Sequence, residues 1–295
     1  MDPSGLVVED FLRTFLAEDL GFGDITTDAL IDPEMMARGH VTCNEPAVVA
    51  GLKEAMILLR LVGCEGTPRL RDGERARPKT RILQLSGPGH SLFKVERTLL
   101  NLLSHMSGVA TATAELVELA KKSRSPVRIA CTRKTLPGLR YFEKRAVELG
   151  GGDPHRLRLD DAVLIKDNHL KITGSVAESI RRARSKVSFT KKIEVEVTDP
   201  DQAIEAAQAG ADIILLDNMK PDLVKKAVAL IEAKKLRTRV QLEASGGITK
   251  ENLPSYARTG VDVISVGRIT HSAKSIDISM ELQPAARSKG NPFWK

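Results

Sequence analysis

From Gly108 onward, short apolar runs alternate with helix-length amphipathic segments. The runs are VRIA (127–130), AVLI (162–165), IEVEV (193–197), DIILL (212–216), VQLEA (240–244) and VDVISV (261–266). Around them, apolar residues recurring with helical spacing predict helices over about 110–122, 137–150, 175–185, 200–209, 221–233, 250–259 and 273–281. Strands that alternate with helices in this way form a parallel sheet joined by crossover helices. Six such units in so short a stretch favour a barrel-like sheet over a doubly wound one. No GxGxxG follows the first strand, which weakens a dinucleotide-binding reading.

The chain before Gly108 has a different texture. Residues 6–20 place Leu6, Val7, Phe11, Leu12, Phe15 and Leu16 on one helical stripe. A glycine-rich turn, GFGDITTD, follows. RGHVTCNEPAVVAG reads as a strand broken at Pro46, and residues 52–62 read as a helix. RDGERARPKTRILQLSGPG reads as a turn with strands, ended by Gly87, Pro88 and Gly89. A long helix is predicted from about Leu92 to Met106. Leu99, Leu102, Leu103 and Met106 form its apolar side, and Arg97, Asn101 and Ser104 lie on another face.

Composition narrows the function. The chain is 42% hydrophobic and 28% charged, as a soluble globular protein is, and its 3% aromatic content requires an aliphatic core. The net charge is +7, but aromatics do not interleave with the basic residues. A site for phosphates or carboxylates is therefore favoured over nucleic-acid binding. Cys43, Cys64 and Cys131 lie far apart with no metal-ligand spacing, which implies a reducing, cytoplasmic setting without a disulfide scaffold. The N-terminus lacks a signal-peptide core, and no apolar stretch is long enough to span a membrane.

One polar block stands out, CTRKTLPGLRYFEKRAVELGGGDPHRLRLDDAVLIKDNHL. Within it sit Arg133, Lys134, Arg140, Lys144, Arg145, His155, Arg156, Arg158 and Lys166, several of them directly after the buried-looking strands VRIA and AVLI. Cations at the mouths of buried strands are costly unless an anion sits among them, so the block points to a pocket for a strongly anionic small molecule. In a barrel of this kind, chemistry gathers at the C-terminal ends of the strands, and every predicted strand carries suitable groups there. VRIAC leads into Thr132, Arg133 and Lys134, and AVLI into Lys166, Asp167, Asn168 and His169. IEVEV carries Glu194 and Glu196 on one face, and DIILL runs into Asp217 and Asn218. VQLEA leads to Ser245, Gly246 and Gly247, and VDVISV to Gly267 with His271 beyond. Arginine can grip a carboxylate or phosphate with two parallel hydrogen bonds. Glu196 and Asp217, on consecutive strands, suit Mg²⁺, which prefers oxygen ligands. The SGG turn, placed just before the predicted helix over 250–259, would present backbone N–H groups to a phosphate with the help of the helix dipole. His40, His90 and His105 are read as hydrogen-bonded structural histidines, at least one of Arg140, Lys144 and Arg145 as surface, and Gly150 to Gly152 as the end of a helix.

These pieces together resemble the quinolinate phosphoribosyltransferase family. The resemblance rests on EDLGFGDITTDAL, ERTLLNLLSHMSGVAT, TRKTLPGLR, GGGDPHRLRLDDAVLIKDNH, IEVEV, ILLDN, EASGGI and GVDVISVG-RITHS, and so spans nearly the whole chain. It implies a type II phosphoribosyltransferase fold: an N-terminal α/β sandwich over 1–107, rejoined by 282–295, and an open α/β barrel over 108–281. It implies transfer of phosphoribosyl from phosphoribosyl pyrophosphate to quinolinate with decarboxylation, which yields nicotinate mononucleotide, CO₂ and pyrophosphate. It also implies a homodimer in which Arg97 reaches the partner's site. By resemblance, Thr132, Arg133, His155, Arg156 and Lys166 meet quinolinate. Lys134, Ser245, Gly246, Gly247, Gly267 and His271 surround phosphoribosyl pyrophosphate, and Glu196 and Asp217 hold Mg²⁺ and the ribose. With Lys134, these two carboxylates are the expected catalytic groups. Three positions depart from the family pattern. Cys131 stands where an acid is common, Ala244 where serine is frequent, and Asp153–Pro154 precede His155 in place of other residues. Two related readings are a molybdenum-transport paralogue, which differs at IKDNH, and a nicotinate phosphoribosyltransferase, which needs no pocket for a second carboxylate.

Overall fold

The computed structural model describes residues 5–285. Their contacts form two units, residues 5–111 with 274–285, and Ala112–Ala273.

The first unit opens with α1 (Gly5–Leu20) and α2 (Ile25–Leu30). The GFGDITTD segment is thus more than a turn. Asp24 caps α2, its carboxylate accepting from the Thr26 and Thr27 N–H groups at 3.1 Å. On α1 the buried seam is Val8, Leu12 and Leu16, at i, i+4 and i+8, whereas Val7 and Phe11 are exposed. Of the predicted stripe, Leu12 and Leu16 are buried while Val7 and Phe11 are not, Val8 joins the seam, and the Leu6 side chain lies outside the described residues.

Next come β1 (Met36–Cys43), β2 (Ala47–Val48), α3 (Leu52–Leu61), β3 (Glu65–Pro68), β4 (Arg75–Ala76) and β5 (Thr80–Pro88). An antiparallel sheet is closed at one side by β12 (Ile278–Pro284), in the order β12-β1-β5-β3. The segment 273–281 was expected to be a helix at the end of the barrel. Instead Ile276, Ile278, Met280 and Leu282 alternate with period two, and residues Ile278 to Pro284 pair along β1 from Cys43 to Ala37. By their contacts, residues 274–285 group with the first unit. Residues 286–295 lie outside the described residues.

The predicted helix at Leu92–Met106 is longer than its apolar pattern indicates. α4 (Gly89–Lys122) runs through Gly108 and absorbs the helix expected at 110–122. Gly108 does not break it. A Cβ there would lie 2.1 Å from the Lys274 carbonyl oxygen, so this glycine admits the returning chain. On α4, Leu99, Leu103 and Met106 are fully buried and Arg97 is exposed.

The second unit contains six parallel strands: β6 (Arg128–Ala130), β7 (Val163–Ile165), β8 (Ile193–Val197), β9 (Ile213–Asp217), β10 (Gln241–Ser245) and β11 (Val263–Ser265). Their order is β6-β11-β10-β9-β8-β7. The sheet therefore curls as a barrel does but stays open between β6 and β7. The crossover helices are α5 (Arg140–Leu149), α7 (Val176–Lys186), α8 (Pro200–Gln208), α9 (Pro221–Ala233) and α10 (Leu253–Ala257). Two short helices that the pattern did not predict, α6 (Asp167–Thr173) and α11 (Arg268–His271), follow β7 and β11.

Strand alternation divides the two faces. Val195, Val197, Ile214, Leu216, Leu242, Ala244 and Ile264 are buried on one face as an aliphatic layer. Glu194 and Glu196 share the other face with Leu215, Asp217, Glu243 and Ser245, by the register Glu196↔Leu215↔Glu243. Barrel interiors are usually filled with branched aliphatic side chains. Four carboxylates in this one mark the place of the chemistry.

Candidate active site

The site is built at the C-terminal ends of these strands. After β6 the chain turns sharply. The Lys134 N–H donates to Thr132 Oγ1 at 3.0 Å, and Thr270 Oγ1 donates to the Lys134 carbonyl at 2.7 Å. A Cβ added to Gly267 would lie 3.2 Å from Lys134 Cδ, 3.3 Å from Thr132 Oγ1 and 3.4 Å from His271 Nε2. Thr132, Lys134, Gly267 and His271, distant in sequence, therefore meet around one small space. Gly267 precedes α11, and His271 closes that single turn, with its Nδ1 2.7 Å from Ser272 Oγ.

Opposite them lie the carboxylates of β8 and β9. Lys166 Nζ bonds Glu196 Oε2 at 2.9 Å. The pairing links a side chain assigned to quinolinate with one assigned to metal. Asp217 is part-buried and accepts from Asn218 Nδ2 at 2.6 Å. Burial, then the Glu196 charge, raises its carboxyl above the ordinary range, while Asn218, Lys166 and Lys134 act in the other direction. Oxygen donors are the kind of ligand that a hard divalent cation takes, so the donor chemistry of Glu196 and Asp217 is compatible with one.

Asn218 adopts a left-handed φ of 54°, and its N–H donates to the Ser245 carbonyl at 2.9 Å. This brings Ser245, Gly246 and Gly247 beside Asp217. The helix expected directly after SGG begins only at Leu253 and lasts five residues. The Asn252 side chain bridges the gap: its Oδ1 accepts from the Thr249 N–H at 2.8 Å and its Nδ2 donates to the Gly247 carbonyl at 3.0 Å. Any anion binding here belongs to the turn itself, since so short and displaced a helix contributes little dipole.

The third part of the site lies along the β6 edge of the open barrel. The Asp153 N–H donates to the Ile129 carbonyl at 2.7 Å, and the Cys131 N–H donates to the Asp153 carbonyl at 3.1 Å, so residues 152–154 continue the sheet beyond β6. This docks His155 and Arg156 into the opening. Arg156 Nη1 donates to the Ala162 carbonyl at 3.0 Å. Burial, followed by the Arg133 charge, pushes its guanidinium down from its ordinary value. The buried Nε of Arg133 has no hydrogen-bond partner among the described residues. Two arginines crowd here, one with an unsatisfied buried donor, as a pocket for a substrate carboxylate requires.

His155 Nε2 lies 3.2 Å from Glu243 Oε2 and 3.6 Å from Glu194 Oε2. Burial alone would lower the imidazole pKa, but hydrogen bonds and charge from both carboxylates raise it to about 10. The ligand atoms of all three residues lie within 4.8 Å of one another, a spacing that also suits a metal ion. The two almost fully buried carboxylates favour a protonated imidazole as their counterion. The sequence had offered Glu194 only as a face-mate of Glu196, and Glu243 not at all. The signal for Glu243 was available in VQLEA, where an acid alternates onto the face that ends in Ser245.

The remaining cations of the block have other roles. At least one of Arg140, Lys144 and Arg145 was expected at the surface, but Lys144 is fully buried and the other two are half-buried. Lys144 donates to the Pro154 carbonyl and lies 3.6 Å from Cys131 Sγ. Arg158 is exposed and pairs with Asp160 at 3.5 Å. The Cys131 thiol is buried, donates to the Pro154 carbonyl at 3.2 Å, and has its pKa raised by burial. It should therefore resist alkylation in the native protein and label only after denaturation, as mass spectrometry of iodoacetamide-treated enzyme will read. Native labelling at Cys131 would show that the pocket wall opens.

The family model for the quinolinate phosphoribosyl transferase C-terminal domain matches residues 109–281, and the model for its N-terminal domain matches residues 24–107. The chain is 47% identical over 274 residues to the probable nicotinate-nucleotide pyrophosphorylase [carboxylating] of Methanothermobacter thermautotrophicus, covering 93% of this chain and 98% of that one. It is 46% identical to the protein of the same description from Methanocaldococcus jannaschii, covering 92% and 95%. The crystal structure of NadC from Streptococcus pyogenes superposes with a TM-score of 0.90 at 36% identity, over 97% of this chain and 99% of that one.

Proposed function

We propose, for a chain that belongs to the quinolinate phosphoribosyltransferase family, that the mouth of the open barrel is where phosphoribosyl pyrophosphate and quinolinate meet. The chain is an enzyme of de novo NAD synthesis, and it joins quinolinate to the phosphoribosyl group with loss of CO₂ and pyrophosphate. The observation that carries the site assignment is the pairing, in one opening, of a cation cluster without enough anions and a separate pair of carboxylates.

Quinolinate, with two adjacent carboxylates, suits Arg133, His155 and Arg156, with Thr132 alongside. The unsatisfied Arg133 Nε supports this reading. Lys166 also belongs to this group. Its bond to Glu196 would hold the pyridine beside the ribose, so that the ring nitrogen can attack the ribose C1 carbon. Lys134, Ser245, Gly246, Gly247, Gly267 and His271 form the phosphate-binding side, which the convergence around Gly267 supports. Lys134 offsets charge on the departing pyrophosphate, and Glu196 and Asp217 stabilise the cationic sugar of the transition state. Mg²⁺ held by Glu196 and Asp217 would neutralise the phosphates. Once the pyridinium forms, its positive nitrogen stabilises the carbanion left as the adjacent carboxylate departs as CO₂, and that carbon then takes a proton from solvent, so the chain supplies positioning and electrostatics rather than a nucleophile.

The reading includes a homodimer in which Arg97, exposed on α4, reaches the partner's quinolinate site. It also includes a cytoplasmic location, which three unpaired cysteines support. Among the described residues no helix is long and apolar enough to cross a membrane.

The test is CO₂ release from carboxyl-labelled quinolinate, with phosphoribosyl pyrophosphate and Mg²⁺ each omitted in turn. Release should require all three. No release from folded protein would overturn the assignment, and turnover of nicotinate instead would redirect it. Binding should also appear as stability. Quinolinate at about 100 times its Kd should raise the unfolding free energy by about 2.7 kcal/mol, and a flat melting temperature across the titration would count against the pocket.

A further inference from the structure

The carboxylates of Glu194 and Glu243 are almost completely buried, with side-chain exposures of 1% and 3%. Each keeps one oxygen, Oε1, without a hydrogen-bond partner among the described residues. Such groups are expensive unless a cation compensates them. The reaction described above does not use either one. They come from strands β8 and β10, whose ladders hold their Cα atoms rigidly. His155 comes from irregular chain and has a left-handed φ of 53°. Its backbone N–H is held by Asp153 Oδ1 at 2.7 Å. Its ring reaches inward, and Nε2 meets both carboxylates.

We propose that Glu194 and Glu243 are positioning residues, which clamp His155 through Nε2 as an ion-paired imidazolium and so present its Nδ1–H to a quinolinate carboxylate. The inference rests on the reading that His155 contacts quinolinate.

A ring fixed at one nitrogen by rigid strands has one donor left to offer, and its orientation is set before substrate arrives. The charged groups around it are Glu194 and Glu243 from the strands, Asp153 and Arg156 from its own segment, and Arg133 from the turn after β6. The two arginines disfavour a further positive charge, and the two glutamates favour it. The glutamates are the groups in contact with the ring. The imidazolium thus adds to the positive charge offered to a dianionic substrate without leaving the buried carboxylates unpaired.

Glu243→Gln keeps the shape of the side chain and removes its charge. The KM for quinolinate should rise about tenfold or more, the loss of one charge-assisted contact, while the KM for phosphoribosyl pyrophosphate is unchanged. In the wild type, kcat/KM for quinolinate should fall on the alkaline side only as His155 loses its proton near pH 10. In Glu243→Gln that limb should move down toward the ordinary histidine value of 6.5. Nitrogen NMR of the wild type at about pH 8 should find His155 doubly protonated. A neutral His155 ring in the folded wild type overturns the proposal without any variant. So does a folded Glu243→Gln enzyme with an unmoved quinolinate KM and pH limb. His155→Gln separates the two levels. If it raises the quinolinate KM and Glu243→Gln does not, the clamp alone fails. If neither moves it, the assignment of His155 to quinolinate fails with it.

Discussion

Arg133→Ala should lower kcat/KM for quinolinate by about two to four orders of magnitude while the KM for phosphoribosyl pyrophosphate stays within a few fold. A guanidinium that grips one carboxylate makes two charge-assisted hydrogen bonds, each worth about 1.5–3 kcal/mol, and every 1.4 kcal/mol is about a factor of ten. Its partly buried position strengthens the interaction, because the competing solvent is thin there. Arg133→Lys should recover only part of the loss, since an ammonium is a point charge without the fork. Steady-state kinetics with each substrate varied in turn is the measurement. An equal loss for both substrates would place Arg133 elsewhere in the mechanism.

The second large effect should come from a single methyl group. Gly246→Ala puts a Cβ 2.3 Å from Asn218 Oδ1, 2.6 Å from Asn218 Cγ and 2.8 Å from the Asn218 backbone nitrogen, at a φ of +90°. Left-handed strain costs about 1–3 kcal/mol and overpacking about as much again. A drop of about 2–6 kcal/mol in unfolding free energy is therefore expected, read from the urea midpoint. The effect should not stop at stability. Asn218 holds Asp217 through a 2.6 Å bond, so displacing it moves a carboxylate assigned to ribose and metal. Affinity for phosphoribosyl pyrophosphate should fall with stability, and quinolinate binding much less. Asn218→Gly on the Gly246→Ala background removes the side-chain part of the clash and suits the φ of 54° at that position. It should return part of the stability but not the substrate affinity, since the bond to Asp217 goes with the side chain. Wild-type stability and binding in Gly246→Ala would refute the packing argument.

Much of this site is legible in the chain because strand alternation is a local rule. IEVEV places Glu194 and Glu196 on one face whatever surrounds them, and apolar runs followed by cations or Ser-Gly-Gly mark the strand ends. Several other features escape local rules. The period-two pattern from Ile276 to Leu282 was present, but a helix fitted the preceding alternation equally well until β1 supplied a partner. Gly108 looked like a break and is a contact, because its reason for being glycine lies at Lys274. Nothing local marked Lys144 as the buried cation of its helix, because its partners are the Pro154 carbonyl and the Cys131 sulfur.

By itself, the sequence determined the βα alternation, the face on which each strand residue falls, and the kinds of group available to an anionic substrate, since all three follow from neighbours along the chain. The tertiary structure alone decided that the opening of the barrel lies between β6 and β7, that residues 152–154 extend the sheet there, and that His155 thereby lies over Glu194 and Glu243. Strand order and the approach of an irregular segment to a sheet edge depend on contacts between residues far apart in the chain. No periodicity records these contacts, so the charge pairing at the heart of the pocket had to be seen in three dimensions.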